Sequence, residues 1–344
     1  MPALALGLVA LFAFILIAGV AYQQIGLAKD ARRFPARGRL IDIGGCRLHL
    51  DVRGDGSPTV VFEAGIAATS TSWSLVQPEI AKITTTASYD RAWLGWSDPA
   101  QGRRDLPQVV GEFEQLLERA DVKGPIILVA HSYGAVVARA YQARHGSKVV
   151  GIVLIDPMSI GEWNPPSAAL RATLDRGIRL SRRGAWLARL GVVRFALRLL
   201  ASGGRRLPKL IARAGSRRAS VFTDRIVRQV VKLRPESWPM IQAQWSNPKC
   251  FEGMARYLEA LPESAAALAR EAAPMSLREV PVVILSAESA TSNERAEHEA
   301  LAQAAHACVQ VVPGSGHWIQ MDRPEVVVNA IRDIVAQVRN GRSQ

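Results

Sequence analysis

Apolar residues along the chain recur in two patterns, and each pattern predicts one kind of element. Short, almost continuous apolar runs are typical of strands that are buried on both faces. The runs that predict strands are 39–43, 46–52, 59–63, 84–89, 126–130, 149–155, 280–285 and 309–312. The first two runs are joined at Gly44–Gly45, which predicts a β-hairpin.

Stretches with helical spacing separate most of these runs. The predicted helices cover 73–82, 106–120, a stretch from 135 onward, 293–305 and 324–338. Strands that alternate with helices predict an α/β protein whose mostly parallel sheet is covered on both faces. From 157 to about 274 the strand pattern gives way to helical patterns alone, which indicates an insertion at the active edge of the sheet.

The predicted domain organisation has four parts. Residues 1–28 form an anchor or signal segment, 38–156 the first part of an α/β core, 157–275 a helical basic cap, and 276–340 the second part of the core. The net charge of +13 comes entirely from the cap, because residues 161–234 hold 18 Lys and Arg against three acids, while the remainder holds 25 against 27. This confinement argues against a nucleic-acid partner.

Within the cap, the stretch 178–200 interleaves apolar residues with arginines at roughly helical spacing. The expected structure is a cap helix with one solvated, basic side. A second hypothesis is that this side lies against anionic lipid headgroups, as basic amphipathic helices do. The three cysteines lie far apart and predict no disulfide framework, and the six histidines show no metal-ligand spacing, so no metal is expected.

Residues 3–22 form an uncharged run long enough to cross a bilayer as a helix. Five basic residues follow it within 29–39, which predicts a retained single-pass anchor with the body of the protein in the cytoplasm. The alternative is a cleaved signal peptide and export, since Gly19–Val20–Ala21 is a tolerable cleavage site.

The stretch 124–141 predicts a strand, an abrupt turn with Ser132 at its tip, and a helix. This context is typical of a nucleophile elbow, in which small residues flank the serine because strand and helix crowd together. A serine hydroxyl needs a neighbouring base, and His317 follows the strand 309–312 through a glycine-rich loop. His131 and His145 are weaker candidates for the base.

An oxyanion hole needs two backbone N–H donors. We expect them from Tyr133, directly after Ser132, and from Ile66, in the loop after the strand 59–63.

At these residues the chain resembles the α/β-hydrolase superfamily, and in particular its bacterial, membrane-anchored, capped serine hydrolases. The resemblance covers about 38–338 and rests on the strings GRLIDIGGCRLHL, TVVFEAG, YDRAWLGWSDP, LVAHSYG, GIVLIDP and GSGHWIQMDRP. It implies an eight-stranded, mostly parallel sheet with a helical cap between the sixth and seventh strands, and no cofactor. It also implies hydrolysis of an ester, thioester or related acyl bond through an acyl-enzyme, with a small or lipid-like apolar acyl substrate.

The acid of the triad is open at this point. Most members of the superfamily supply it from the loop after the seventh strand, where Ala290 stands at the usual position. Asp156, at the end of the sixth strand, is the preferred acid, and Glu288 is the alternative. Glu294, or the absence of an acid, is the third option.

Two other functions stay open as well. One is a cofactor-free perhydrolase or haloperoxidase, and the other is a non-catalytic, membrane-tethered binding protein of the same fold.

Overall fold

A computed structural model describes residues 2–122, 124–201, 238–271, 277 and 280–341. Its strands are β1 (Arg39–Asp42), β2 (Arg47–Arg53), β3 (Thr59–Glu63), β4 (Thr86–Tyr89), β5 (Ile126–His131), β6 (Val149–Ile155), β7 (Val282–Ala287) and β8 (Val309–Val312). They form one eight-stranded sheet in the order β1-β2-β4-β3-β5-β6-β7-β8. β2 pairs antiparallel with β1 and β4, and all other pairs are parallel. The predicted fold is therefore confirmed.

The described α-helices are α1 (Pro2–Arg33), α2 (Gln77–Ile80), α3 (Leu106–Arg119), α4 (Gly134–His145), α5 (Ile160–Trp163), α6 (Ala168–Arg189), α7 (Val192–Ala201), α8 (Trp238–Trp245), α9 (Pro248–Glu271), α10 (Ser292–Ala304), α11 (Ile319–Asp322) and α12 (Pro324–Gly341). Short 3-10 helices cover Ser70–Trp73 and Gly146–Lys148. Between β6 and β7 the described residues contain helices and no strand, as the insertion predicts.

Both faces of the sheet are packed with apolar side chains. On one face α2 and α12 close a core that includes Phe62, Val129, Val153 and Ile331. On the other face α3 and α4 lie together, and the Phe113 ring stacks on Tyr89 and meets Tyr141 edge-on. All six residues of β5 are buried, which explains why this strand has a continuous apolar pattern.

Two predicted elements differ from the structure. The helical stretch expected over 73–82, with an interruption at Pro78, is a 3-10 turn that ends at Trp73 and a separate short helix, α2, with Pro78 in its first turn. Proline lacks an N–H and fits a first turn, so it begins a new helix here instead of continuing one. The strand expected over 280–285 is β7, which begins and ends two residues later. The four-residue helices α5 and α11 were not predicted, because four residues are too few to show a periodic pattern.

The chain divides into two compact units. One comprises Met1–Pro35 and Arg176–Ala255, and the other comprises Ala36–Asp175 and Arg256–Gln344. The sheet lies wholly in the second unit. The first unit groups α1 with the central part of the predicted cap, whereas the sequence treats the N-terminal segment and the cap as separate domains. Residues 202–237, which carry much of the predicted basic charge, lie outside the described residues.

Within the first unit, α1 has an exposed apolar part and a packed part. Large apolar side chains from Leu4 to Ile17 are exposed. From Gly19 onward the helix packs on the turn between α6 and α7. The two approach so closely that a Cβ on Gly19 would lie 2.5 Å from the Leu190 carbonyl oxygen. Further along, the Gln23 amide donates to the carbonyl of Ser246 at 2.8 Å, and Arg194 forms an ion pair with Asp30 at 2.6 Å.

Candidate active site

The turn between β5 and α4 presents Ser132 in a strained conformation. Its φ is +53°, a left-handed value that costs a non-glycine residue roughly 1–3 kcal/mol and is typical of a nucleophile elbow. Two residues later only glycine fits, because a Cβ on Gly134 would lie 2.5 Å from the carbonyl oxygen of Glu63. The close approach of β3 to the start of α4 therefore requires a glycine directly after this turn.

The structure brings Ser132, His317 and Asp156 into one chain of contacts. The Nε2 atom of His317 lies 3.0 Å from Ser132 Oγ, and its Nδ1 atom lies 2.6 Å from an Asp156 carboxylate oxygen. His317 follows β8 in a loop. A hydrogen bond stabilises this loop directly before His317, where the Gly316 N–H donates to Asp322 at 2.7 Å. The three side chains come from three separate strand ends at one edge of the sheet.

Asp156 is held so that its carboxylate faces His317. Its N–H donates to the Leu285 carbonyl at 2.7 Å, and its second carboxylate oxygen accepts from the Ala287 N–H at 2.9 Å. Burial works to raise the pKa of this carboxyl, but the hydrogen bond and charge of His317, together with the Ala287 amide, outweigh burial and lower the pKa. An ionised Asp156 accepts the Nδ1–H of His317 and leaves the Nε2 lone pair directed at Ser132.

The other acids considered for this role are engaged elsewhere. A carboxylate oxygen of Glu288 accepts from the Gly314 N–H at 2.9 Å, so Glu288 supports the loop that leads to His317. Glu294 closes a capping box with Thr291 at the start of α10. The loop after β7 therefore supports the segment that leads to His317. Asp156 is the acid in contact with His317.

His131, ranked behind His317 as the base, instead supports His317. Its Nε2–H donates to the His317 carbonyl at 2.8 Å, and the two rings pack with centroids 4.7 Å apart. Burial, with the neighbouring His317, lowers the pKa of His131 to about 3, which keeps its ring neutral. His145 lies at the end of α4 and contacts Glu114. The sequence signal for the support role is only that His131 immediately precedes Ser132.

The loop after β3 passes beside the serine. A Cβ on Gly65 would lie 3.5 Å from Ser132 Cβ and 2.9 Å from His131 Nδ1, so this approach requires a glycine. Among the described residues, neither the Ile66 N–H nor the Tyr133 N–H donates to another protein group. Two unengaged amides next to Ser132 are what an oxyanion site needs.

No group of three or more His, Cys, Asp or Glu side chains that can hold a metal ion occurs in the described part of the chain. The expectation that no cofactor is required stays a prediction. The chemistry that the site offers is that of a serine nucleophile with a histidine base and a buried acid.

Comparison with known proteins agrees with the fold described above. A family model described as "Alpha/beta hydrolase family" matches residues 45–330. Protein YqjL of Bacillus subtilis is 39% identical over 116 residues, 33% of this chain and 46% of that protein. A 2-hydroxymuconate semialdehyde hydrolase of a Pseudomonas species is 32% identical over 161 residues, 41% of this chain and 54% of that protein. The chain thus spans about half the length of these curated relatives.

Among solved structures, the enol-lactonase from Burkholderia xenovorans superposes with a TM-score of 0.57 at 18% identity, covering 87% of this chain and 100% of the lactonase. Identity at this level indicates a shared fold and leaves the substrate open.

Proposed function

Because the chain belongs to the alpha/beta hydrolase family, we propose that it is a serine hydrolase that cleaves an ester, thioester or related acyl bond through an acyl-enzyme. The observation that carries this proposal is the contact chain Ser132–His317–Asp156 beside two unengaged amides. An aspartate nucleophile is disfavoured, because serine occupies the elbow.

In the proposed reaction, His317 takes the Ser132 proton as Oγ attacks the substrate carbonyl. The negative oxygen that forms accepts hydrogen bonds from the Ile66 and Tyr133 amides. His317 then gives the proton to the leaving alkoxide or thiolate, and the acyl-enzyme remains. A water molecule, deprotonated by His317, attacks the acyl carbon, and the proton returns to Ser132 as the carboxylic acid leaves.

The proposed substrate is a small or lipid-like apolar acyl compound, which fits an enzyme held at a membrane. The perhydrolase alternative uses the same residues, whereas the non-catalytic alternative uses the pocket without turnover, and both stay predictions. A dedicated contact between His317 and a buried carboxylate favours turnover over binding alone, because binding does not require a fixed histidine tautomer.

We also propose that α1 is a retained membrane anchor. Within the described residues, α1 is the one helix long and apolar enough to cross a membrane, a test that a signal sequence passes too. Retention is supported by the course of α1, which continues unbroken through the candidate cleavage site 19–21 and packs on the α6–α7 turn at Gly19. Removing the segment before Tyr22 would take this packing surface away.

The contact at Gly19 lies one turn before the end of the uncharged run 3–22, so in an anchored protein the α6–α7 turn lies near the membrane surface. Exposed apolar side chains flank this turn, including Trp186, 66% exposed, and Phe195, 62% exposed. A cavity of about 450 Å³ between α1, α7 and α8 has Lys29, Arg33 and Arg198 in its lining. We propose that this basic and apolar surface lies against anionic lipid headgroups.

The test of the hydrolase proposal is labelling of the full chain in detergent with a fluorescent fluorophosphonate, alongside turnover of short p-nitrophenyl esters. Ser132→Ala should abolish labelling and cut ester turnover by several orders of magnitude while circular dichroism stays unchanged. Ser181→Ala, a buried serine outside the site, is the matched control and should keep both. Labelling and turnover that survive in Ser132→Ala would overturn the proposal.

A further inference from the structure

One buried arginine holds the loop that passes beside Ser132. Arg91 follows β4 and is only 4% exposed. Its Nη1 donates to the Ala64 carbonyl at 2.7 Å, and its Nη2 donates to the Gly65 carbonyl. Arg91 therefore binds two successive carbonyl groups of the loop from the side away from solvent.

The second of these carbonyls belongs to the same peptide unit as the Ile66 N–H. In a trans peptide the C=O and N–H bonds point in opposite directions within one plane. Fixing the Gly65 carbonyl on Arg91 therefore fixes the direction of the Ile66 N–H as well. Because Gly65 lies beside Ser132, the orientation of this peptide decides whether the amide can reach a substrate oxygen there.

The arginine also changes the strength of that donor. A positively charged group that donates to a peptide carbonyl draws electron density toward the oxygen and makes the N–H of the same peptide a better donor. Because the guanidinium is buried, water screens this effect very little.

The same guanidinium contacts the residue that supplies the other amide. It lies 5.3 Å from the ring centroid of Tyr133 and 5.3 Å from that of Tyr257. A cation over an aromatic face is attracted to it, so Arg91 links Tyr133 to the loop that contains Ile66.

The position of Arg91 is itself fixed by Glu63, at the end of β3. Arg91 forms an ion pair with Glu63, and the Tyr89 hydroxyl donates to the second carboxylate oxygen. Both charged side chains are almost completely buried, so each depends on the other for a partner.

We propose that Arg91, held by Glu63, is a positioning residue of the oxyanion site, which orients and polarises the Gly65–Ile66 peptide. This inference rests on the proposed serine hydrolase function. It predicts that loss of Arg91 lowers kcat through weaker stabilisation of the negative oxygen and leaves ester binding nearly unchanged.

The test uses Glu63→Gln/Arg91→Met in the full chain, because removing both charges leaves no buried ion alone and keeps an acceptor for Tyr89. The matched control is Glu112→Gln/Arg104→Met, which removes the other buried arginine–glutamate pair. Arg104 hydrogen-bonds to Glu112, to the Gln101 carbonyl and to Tyr257, and none of these groups belongs to the loop 64–66. Thermal unfolding and circular dichroism verify that both double variants fold.

The first readout is the split between kcat and KM on a p-nitrophenyl ester. The Arg91 variant should lose about 10²-fold in kcat, as is typical when one oxyanion donor is lost or misplaced, with KM within about threefold. The second readout is the ratio of turnover on the ester to turnover on the matching thionoester. Sulfur accepts hydrogen bonds weakly, so a damaged oxyanion site should lower this ratio by about tenfold, whereas the control should keep the wild-type ratio.

Arg91→Lys adds a second comparison, because it keeps the positive charge but cannot hold both carbonyls in the same geometry. It should fall between wild type and the double variant in kcat. An unchanged ratio in a folded Glu63→Gln/Arg91→Met enzyme would overturn the inference, as would an equal fall in the Arg104 control. Failure of the hydrolase proposal is distinguished from these outcomes, since the wild-type enzyme itself would then show no turnover that depends on Ser132.

Discussion

Two arginines beside the sheet, Arg91 and Arg104, have surroundings opposite to those of the arginines in the helices α6 and α7. Arg91 and Arg104 are buried, and each contacts a buried glutamate. Over residues 168–201, eight arginines occur with one acid, and seven of the eight are exposed. A buried charge has to be paired, because leaving it alone costs several kcal/mol, whereas an exposed charge contributes little to stability either way.

This difference indicates what each set of charges does. Both buried arginines have a glutamate partner, and the Arg91 pair holds the loop beside Ser132. The exposed charges are too solvated to hold the fold together, so their accumulation points to something outside the protein, and anionic lipid is our proposal. Paired substitutions, one in each kind of surrounding, put the comparison to the test.

The largest difference is expected between two acids near His317. Asp156→Asn should lower kcat by up to roughly 10⁴-fold, because a neutral amide does not hold the required His317 tautomer. Glu288→Gln should cost less than about tenfold, since a glutamine oxygen can still accept the Gly314 N–H. Steady-state kinetics on a p-nitrophenyl ester measure both losses. A larger loss of kcat in Glu288→Gln than in Asp156→Asn would show that the triad acid is in the loop after β7.

The ranking of these acids shows where sequence reasoning reached its limit. The strand pattern predicts the sheet, the elbow and the position of His317, because apolar runs and a Ser–x–Gly turn are local features. The choice among Asp156, Glu288 and Glu294 depends on which carboxylate faces one imidazole nitrogen, and that follows from packing between strand ends distant in sequence. The support from His131 and Arg91 is hidden for the same reason, since both side chains act on backbone groups of other segments.

Stability should separate the two kinds of arginine. Arg104→Met leaves Glu112 buried with a charge and without its ion-pair partner, so it should lower the free energy of unfolding by about 3–5 kcal/mol. Arg183→Met, on the exposed side of α6, should change it by less than about 0.5 kcal/mol. Denaturant unfolding of the full chain in detergent measures both values. Equal effects would contradict the distinction between buried and exposed arginines.

Protonation should distinguish a buried histidine from an exposed one. The pKa of folded His131 is about 3, below the ordinary value of 6.5, so the unfolded chain binds a proton that the folded protein excludes. Its contribution to stability is therefore full above about pH 6.5 and is lost as the pH falls toward 3. The advantage of wild type over His131→Asn should shrink by roughly 1.4 kcal/mol per pH unit below 6.5.

His306→Asn, the same substitution at an exposed position, serves as the control for the change from histidine to asparagine. A gap between wild type and His131→Asn that stays constant from pH 7 to pH 5 would show that the ring of His131 is not kept neutral by burial.

The smallest effect is expected from single charges of the cap surface. A spin label at position 195, in a Phe195→Cys chain whose native cysteines are replaced, should be protected from a water-soluble relaxation agent in nanodiscs that contain anionic lipid. A label at the exposed Val311, on the sheet unit, should stay accessible. Adding Arg179→Glu and Arg183→Glu should weaken the protection, at about 1 kcal/mol for each charge near the surface, and salt should weaken it too.

One copy per nanodisc removes self-association as a cause of protection. Equal accessibility at 195 and 311, or protection that ignores lipid charge, would contradict lipid docking. A full chain that does not stay in the nanodisc would contradict the anchor as well.

The central claim is that Ser132 carries the acyl group during turnover. Rapid-quench mass spectrometry of the full-length enzyme mixed with a p-nitrophenyl ester tests it most directly. We expect a burst of p-nitrophenol close to one equivalent, with the acyl group on the peptide that contains Ser132, and neither signal in Ser132→Ala. Turnover with no acylated peptide, or an acyl group on another residue, would contradict it.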